Sequence, residues 1–377
     1  MHVSEPRILL SAGEASGDLH GAAVAAALRQ LYPDAELIGL AGPRMVKAGV
    51  LPVVEFDRLA LVGFVEVVSR LPFFLSLRRQ LRRLLAERPP DLVIPIDYPG
   101  FNLWLAEQAH RRGIRVLYYI PPQLWAWRPG RARILAEKTD RVAVVFPQEE
   151  PFLREFGVEA VFVGHPLLDC LPGWEAPREA IAALGADPTR PILGLLPGSR
   201  RHEIRRLLTP FLAVAQEVVR RRPEVQVLVA TAPEVPMEYY DAASAYPLVP
   251  DAARLLSAAT AVLTKSGTTT LQAALLETPS VIAYQVHPLS YLLARRLVRV
   301  ESIGMVNLLA GRRVVPEFVQ GLPVERMADA LLPLLKLGSP EREAMVAALR
   351  EVGGMLGEPG APQRVARLAA ELLDTRA

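Results

Sequence analysis

Asp97 closes the apolar run DLVIPID and enters a Pro-Gly turn, so its carboxylate stands where it can accept a proton from a hydroxyl nucleophile. A lone Asp at such a turn also makes an Asx-turn, and the residue type leaves both readings open. Pro197-Gly198-Ser199-Arg200 follows the run ILGLL and precedes a helical pattern from Glu203 to Arg222. Gly198 permits close backbone approach, Ser199 can cap the helix, and Arg200 carries a planar charged fork suited to phosphate. Lys265-Ser266-Gly267-Thr268-Thr269-Thr270 repeats the order of strand, glycine turn, hydroxyls and helix. Two such turns in one half of the chain suit a diphosphate and its sugar, held by backbone amides without a metal. Singly, each is also an ordinary capped helix start. The first turn lacks the Lys-Ser/Thr ending of a P-loop, which argues against nucleoside triphosphate hydrolysis. The six histidines show no metal-ligand spacing, and Cys170, the single cysteine, excludes an internal disulfide and fits a reducing cytoplasm. No metal and no cofactor are expected.

Three further regions stand out. The only two asparagines, Asn102 and Asn307, both fall in turns after strands. Trp125 and Trp127 lie beside Gln123 and Arg128, an arrangement that fits a sugar or lipid surface as well as a plain aromatic contact. Residues 59–88 interleave Phe64, Phe73, Phe74 and many aliphatic residues with Arg70, Arg78, Arg79, Arg82, Arg83 and Arg88. A core helix with a basic outer face accounts for Leu77, Leu81, Leu84 and Leu85 but leaves Pro72-Phe73-Phe74 unexplained. The favoured reading is contact with an anionic membrane surface through Phe64, Phe73, Phe74, Arg78 and Arg82. No nucleic-acid motif accompanies the arginines, so nucleic acid is not an expected partner.

The elements that must place these residues form a regular alternation. Apolar runs at 8–12, 36–42, 91–97, 115–120, 141–147 and 160–166 read as buried strands separated by helical patterns. After the Pro- and Gly-rich stretch 171–191, a second set begins at 192–199, 225–231, 261–267 and 280–286. The expected fold is α/β: two Rossmann-like doubly wound domains facing a cleft, residues 1–172 and 185–345, with a helical tail over 346–377. At 377 residues the length suits two cores. Formal charge is only +3, and neither a membrane span nor a signal-peptide pattern is expected. In open parallel sheets ligands gather at the carboxyl ends of strands, which is where the residues above fall.

Taken together, AGEASGD (12–18), AGPRM (41–45), the VGFVEV region (62–67), IDYPGFN (96–102), PPQLWAWRPGR (121–131), VGHP (163–166), LLPGSR (195–200), SGTTTL (266–271) and NLLAGR (307–312) occur in an order that resembles the lipid-A-disaccharide synthase family of GT-B glycosyltransferases. The resemblance runs nearly end to end. It implies a UDP-sugar-dependent hexosyltransferase that joins UDP-2,3-diacylglucosamine to 2,3-diacylglucosamine 1-phosphate, releasing a β-1′,6 disaccharide 1-phosphate and UDP. It implies Asp97 as general base, and a donor site of Gly198, Ser199, Arg200, Ser266, Gly267, Thr268, Gln272 and Asn307. The acceptor site would draw on Glu14, Ser16, Gly17, Asn102 and Trp127, with Asp18 capping the helix that follows. The enzyme would be cytoplasmic and peripherally attached to the inner membrane; a homodimer is compatible with the sequence, which leaves oligomeric state open. Two positions depart from the family pattern: Gln272 stands where Glu is usual, and Gln285 where Arg or Lys is usual. They leave as alternatives a divergent GT-B enzyme using another UDP-sugar, or a non-catalytic UDP-sugar- or lipid-binding relative.

Overall fold

The computed structural model describes residues 5–54, 71–127, 130, 132–170, 177–233, 235–285 and 302–375. The chain divides into two compact units, Met1–Cys170 with Leu356–Ala377, and Leu171–Met355.

The first unit is built on a seven-stranded parallel sheet in the order β3-β2-β1-β4-β5-β6-β7. Its strands are β1 (Arg7–Ser11), β2 (Glu36–Leu40), β3 (Leu51–Pro52), β4 (Leu92–Pro95), β5 (Arg115–Tyr119), β6 (Arg141–Val144) and β7 (Ala160–Phe162). LVIP is apolar along its whole length, and RILLS is buried from Ile8 to Ser11, because helices cover both faces of a parallel sheet. Register puts Ile8 opposite both Leu37 and Leu92, and it brings Ser11 level with Leu40 and Pro95.

The second unit repeats the plan with six strands in the order β10-β9-β8-β11-β12-β13. These are β8 (Ile192–Leu196), β9 (Gln226–Ala230), β10 (Leu248–Val249), β11 (Ala261–Lys265), β12 (Ser280–Tyr284) and β13 (Glu317–Val319). The helix Pro177–Ala183 falls inside the Pro- and Gly-rich stretch that separates the two sets of strands, and its Ala180 is fully buried in a core with Leu228 and Leu255.

The C-terminal tail is not a separate body. The helix Ala361–Asp374 packs on the first unit, against the helix Ala15–Leu31 and β5. The VGHP motif and the residues after it hold it there. His165 N–H donates to the Leu356 carbonyl at 2.9 Å, and the Asp169 carboxylate accepts from Gly360 and Ala361 N–H at 2.5 and 3.1 Å. The apolar face of this helix (Val365, Leu368, Leu372, Leu373) is buried, which is why it cannot stand alone.

Candidate active site

Where strand order reverses in a doubly wound sheet, the loops leaving two neighbouring strands diverge and open a crevice for ligands. In the first unit that place lies between β1 and β4, and in the second between β8 and β11. Asp97, Glu14, Ser16 and Gly17 leave the first pair; Gly198–Arg200 and Ser266–Thr268 leave the second.

At the end of β4, Ile96 makes a last bridge to Tyr119, and the chain then turns sharply into the helix Pro99–His110. Asp97 and Tyr98 both take positive φ, 49° and 50°. Each such non-glycine residue costs of order 1–3 kcal/mol, so its surroundings must hold it. The Asp97 N–H donates to the Tyr119 carbonyl at 3.0 Å. Its own carbonyl accepts from Asn102 Nδ2 at 2.7 Å and from the Tyr118 hydroxyl at 2.9 Å. Burial, followed by the Asp97 charge, pushes the Tyr118 hydroxyl well above its usual range, so it stays a donor.

Asn102 is fully buried. Besides Asp97, its Nδ2 faces the carbonyls of Ser11 and Ile96, both at 3.1 Å, and its Oδ1 accepts the Ser11 hydroxyl at 2.6 Å. The expectation that Asn102 binds the acceptor is therefore corrected. Its amide is engaged inside the fold, tying the end of β1 to the end of β4.

The loop after β1 runs directly over Tyr98. A Cβ on Gly13 would lie 2.3 Å from the Tyr98 ring, which explains the glycine in AGEASGD. Glu14 and Ser16 are exposed at the start of the helix Ala15–Leu31, and Gly17 is buried beneath them. The Tyr98 hydroxyl is raised by burial and then by the Glu14 charge, which places that carboxylate near the Asp97 turn. Asp18 does not cap its own helix. Its carboxylate accepts from Arg44 and Met45 N–H, both at 3.0 Å, and so caps the helix Pro43–Lys47. Trp127 closes the short helix Leu124–Trp127, and its side chain lies outside the described ones.

Phe64 lies outside the described residues. The helix Leu71–Glu87 carries the other proposed membrane residues. Leu77, Leu81 and Leu85 are buried in a core with Val93, Phe101 and Leu105, and Phe73 and Phe74 pack partly against the same cluster. Phe74 lies 6.2 Å from the Phe101 ring, and Arg78 and Arg82 stack on Trp104 at 5.0 and 5.5 Å. Pro72-Phe73-Phe74 thus has a structural explanation that the sequence did not offer: it edges a core built from the Asp97 helix. Pro72, Leu75, Arg79, Arg82 and Arg83 remain exposed. Among the described residues, no helix is long and apolar enough to cross a membrane.

In the second unit, the turn after β8 brings Gly198 to φ 134° and leads into the helix Arg201–Arg221. Ser199 and Arg200 are exposed, but their N–H groups are engaged: both donate to Glu203 Oε2, at 2.9 and 3.2 Å. This corrects the expectation that this turn offers free amides to a diphosphate. Glu203 in turn pairs with Lys265 Nζ at 2.9 Å. After β11, Thr268 is exposed at the first position of the helix Thr268–Leu275, and half-buried Gln272 sits on its second turn. Thr270, by contrast, is buried and its hydroxyl donates to the Gly267 carbonyl at 2.8 Å. The Ser266 hydroxyl donates to the Ile303 carbonyl at 2.8 Å.

Asn307 is almost fully buried, so it too is corrected from ligand to brace. Its Oδ1 accepts from Val314 and Val315 N–H at 2.7 and 2.8 Å, and its Nδ2 donates to Glu317 Oε1 at 2.6 Å. Glu317 also takes the N–H groups of Ile303 and Gly304, both at 2.9 Å. Asn307 therefore reaches the Ser266 turn through Glu317 and Ile303.

The lipid-A-disaccharide synthetase family matches residues 8–349. A lipid-A-disaccharide synthase of Geobacter sulfurreducens is 42% identical, the alignment covering 97% of each chain. The chain belongs to this family. A synthase of Myxococcus xanthus is 39% identical, over 98% of each chain. Among solved structures, a calicheamicin glycosyltransferase gives a TM-score of 0.60 at 17% identity, covering 99% of both chains. A Neisseria meningitidis UDP-GlcNAc 2-epimerase, solved with UDP-GlcNAc bound, gives 0.60 at 11% identity, covering 98% of this chain and 99% of that one. At such identities the likeness is one of fold, the GT-B pairing of two Rossmann-like units. Membership in the family makes the chain a glycosyltransferase of lipid A biosynthesis.

Sequence reasoning missed Glu203, Lys265, Tyr118 and Ser11. Glu203 had a readable signal, since an acidic residue three positions after the residue that starts a helix is the capping-box spacing.

Proposed function

We propose that the chain transfers 2,3-diacylglucosamine from UDP-2,3-diacylglucosamine to the 6-hydroxyl of 2,3-diacylglucosamine 1-phosphate. The observation that carries the reading is the family match over 8–349 together with Asp97 held at the reversal point of the first sheet. In the reaction, the Asp97 carboxylate takes the proton of the 6-hydroxyl as that oxygen attacks the anomeric carbon. The bond from the anomeric carbon to the UDP oxygen breaks, and UDP leaves with the electron pair. Arg200 and the amino end of the helix Thr268–Leu275 bind the diphosphate and stabilise the charge that develops on it. Glu14 and Ser16, exposed near the Asp97 turn, contact acceptor hydroxyls, and Trp127 belongs to the same side. Gln272 reaches the ribose, where a neutral amide replaces the family's carboxylate.

Both substrates carry acyl chains, so the enzyme works on the cytoplasmic face of the inner membrane. The exposed stripe Pro72, Leu75, Arg79 and Arg83, with Arg82 and the preceding segment that holds Phe64, supports this attachment. The test is incubation with both substrates and mass spectrometry of the lipid fraction. A disaccharide 1-phosphate with stoichiometric UDP is the expected product. UDP release without disaccharide, or no turnover of this donor, would overturn the proposal. Sedimentation with anionic vesicles, compared between the native chain and Leu75→Ser/Arg79→Ser/Arg83→Ser, checks the attachment. Weaker binding in the variant is expected, and unchanged binding contradicts the assignment.

A further inference from the structure

The two turns of the second unit are joined by a feature that neither turn needs for itself. A carboxylate at the third helical position can accept the N–H of the helix-starting residue at the surface, without a cation. Here that carboxylate, Glu203, is buried, and its other oxygen meets Lys265 Nζ at 2.9 Å. Burying a carboxylate is expensive, and its pairing with half-buried Lys265 points to a task beyond capping. The two glycines show what the task is. A Cβ on Gly198 would lie 2.5 Å from Glu203 Oε2, and a Cβ on Gly267 would lie 3.1 Å from Lys265 Nζ. Gly198 and Gly267 have φ of 134° and 153°, conformations that side chains seldom adopt. Each turn is therefore moulded onto one partner of the same ion pair.

We propose that Glu203 and Lys265 form one ionic brace that fixes both turns of the donor site, so that UDP affinity depends on two positioning residues that do not touch the nucleotide. The proposal rests on the reading of these turns as the donor site. It also assigns the phosphate contacts. The amides of Ser199 and Arg200 stay on Glu203, and the anion is read by the Arg200 guanidinium and by the open N–H groups that begin the helix Thr268–Leu275.

The test is calorimetric titration of UDP into the full chain as Glu203→Gln, Lys265→Met, the double variant and Arg200→Ala. Glu203→Gln leaves Lys265 facing an amide N–H, and Lys265→Met leaves the carboxylate without its cation, so each single variant should weaken UDP binding about tenfold or more. In the double variant the same link is lost only once, so affinity should fall about as far as in the worse single variant and no further. Native-like affinity in both single variants would overturn the brace, and so would a double variant that regains native affinity or that multiplies the two single losses. If Arg200→Ala also binds UDP as the native chain does, the donor-site reading fails instead. Should a single variant not fold, hydrogen exchange in the native chain decides. Slow exchange at Ser199 and Arg200, unchanged by saturating UDP, supports the brace; rapid exchange, or amides that change partner on binding, overturns it.

Discussion

The reversal points of the two sheets solve one mechanical problem with opposite chemistry. In the first unit, the ends of β1 and β4 are tied by a neutral amide, Asn102, bonded to Ser11, Ile96 and Asp97. In the second, the turns after β8 and β11 are tied by an ion pair, Glu203 with Lys265. The difference follows from what each site has to hold. On the proposed function, Asp97 must keep a carboxylate ready for a proton, and a buried charge beside it would shift its affinity for that proton. A neutral clamp fixes its backbone without touching that balance. On the same proposal the turns of the second unit face an anion, and a carboxylate among them is tolerable only when a cation cancels it.

Putting charge into the neutral clamp should have the largest effect. Asn102→Asp would aim carboxylate oxygens at three buried carbonyls, and the native state should lose more than about 3 kcal/mol. Chemical denaturation measures this, and turnover should fall with it while UDP affinity of the surviving folded protein stays native. A variant as stable as the parent would mean that the amide is not the clamp.

Acid should separate the units next. Half-buried His20 and buried His165 are held neutral, their pKa values lowered to about 4 and about 3 chiefly by removal of the ring from water. Unfolding lets them take protons at their ordinary 6.5, so the stability they contribute is present above that pH and is lost as pH falls from 6.5 toward 3. Burial alone would raise Glu203, but the Lys265 charge and the Ser199 and Arg200 N–H groups together hold it below its ordinary 4.5, so its contribution starts to fall only under that value. Exposed His202 is shifted downward as well, but solvent screens it. Between pH 7 and 5 the first unit should therefore lose stability and the second change least. Three of the four tryptophans, Trp104, Trp125 and Trp127, belong to the first unit, so a tryptophan-fluorescence melt reports chiefly on it. A melting temperature flat across that range would contradict this.

The same unit should respond to alkali at Glu149. Burial raises this carboxyl to about 8, against the N–H groups of Phe146 and Val145 that favour its charge. A raised pKa contributes stability that is full below 4.5 and lost as pH rises through about 8. Glu149→Gln should thus raise the melting temperature at pH 9 and leave it unchanged near pH 4. An equal gain at both values would point to packing instead.

The smallest effect belongs to Gln272. Hydrogen bonds to charged groups contribute roughly 1.5–3 kcal/mol against about 1 for neutral ones. Gln272→Glu should tighten UDP binding several-fold by titration, and weaker binding would remove this residue from the ribose.

The fold was legible because parallel strands covered on both faces are apolar throughout, as in LVIP and ILGLL, and each long helix carries its period. The edge strands β3, β10 and β13 escaped notice because two or three residues carry no pattern. Site position was legible for a related reason: chemistry-bearing residues directly follow apolar runs. Role was harder to read. Asn102 and Asn307 look like ligands in a sequence and are braces in the fold, because burial decides what a polar side chain faces. Glu203 reads as a surface cap until the register of β8 and β11 brings Lys265 beside it. Phe73 and Phe74 looked free because Phe101, in the cluster they pack against, lies on a helix encoded later in the chain.

The central claim is that Asp97, presented by a neutral clamp, takes the proton of the acceptor hydroxyl. Turnover of Asp97→Asn with UDP-2,3-diacylglucosamine and 2,3-diacylglucosamine 1-phosphate, measured beside its UDP affinity, tests it most directly. The expected result is a loss of about 100- to 10,000-fold in turnover with UDP binding intact. Turnover near that of the native chain would contradict it.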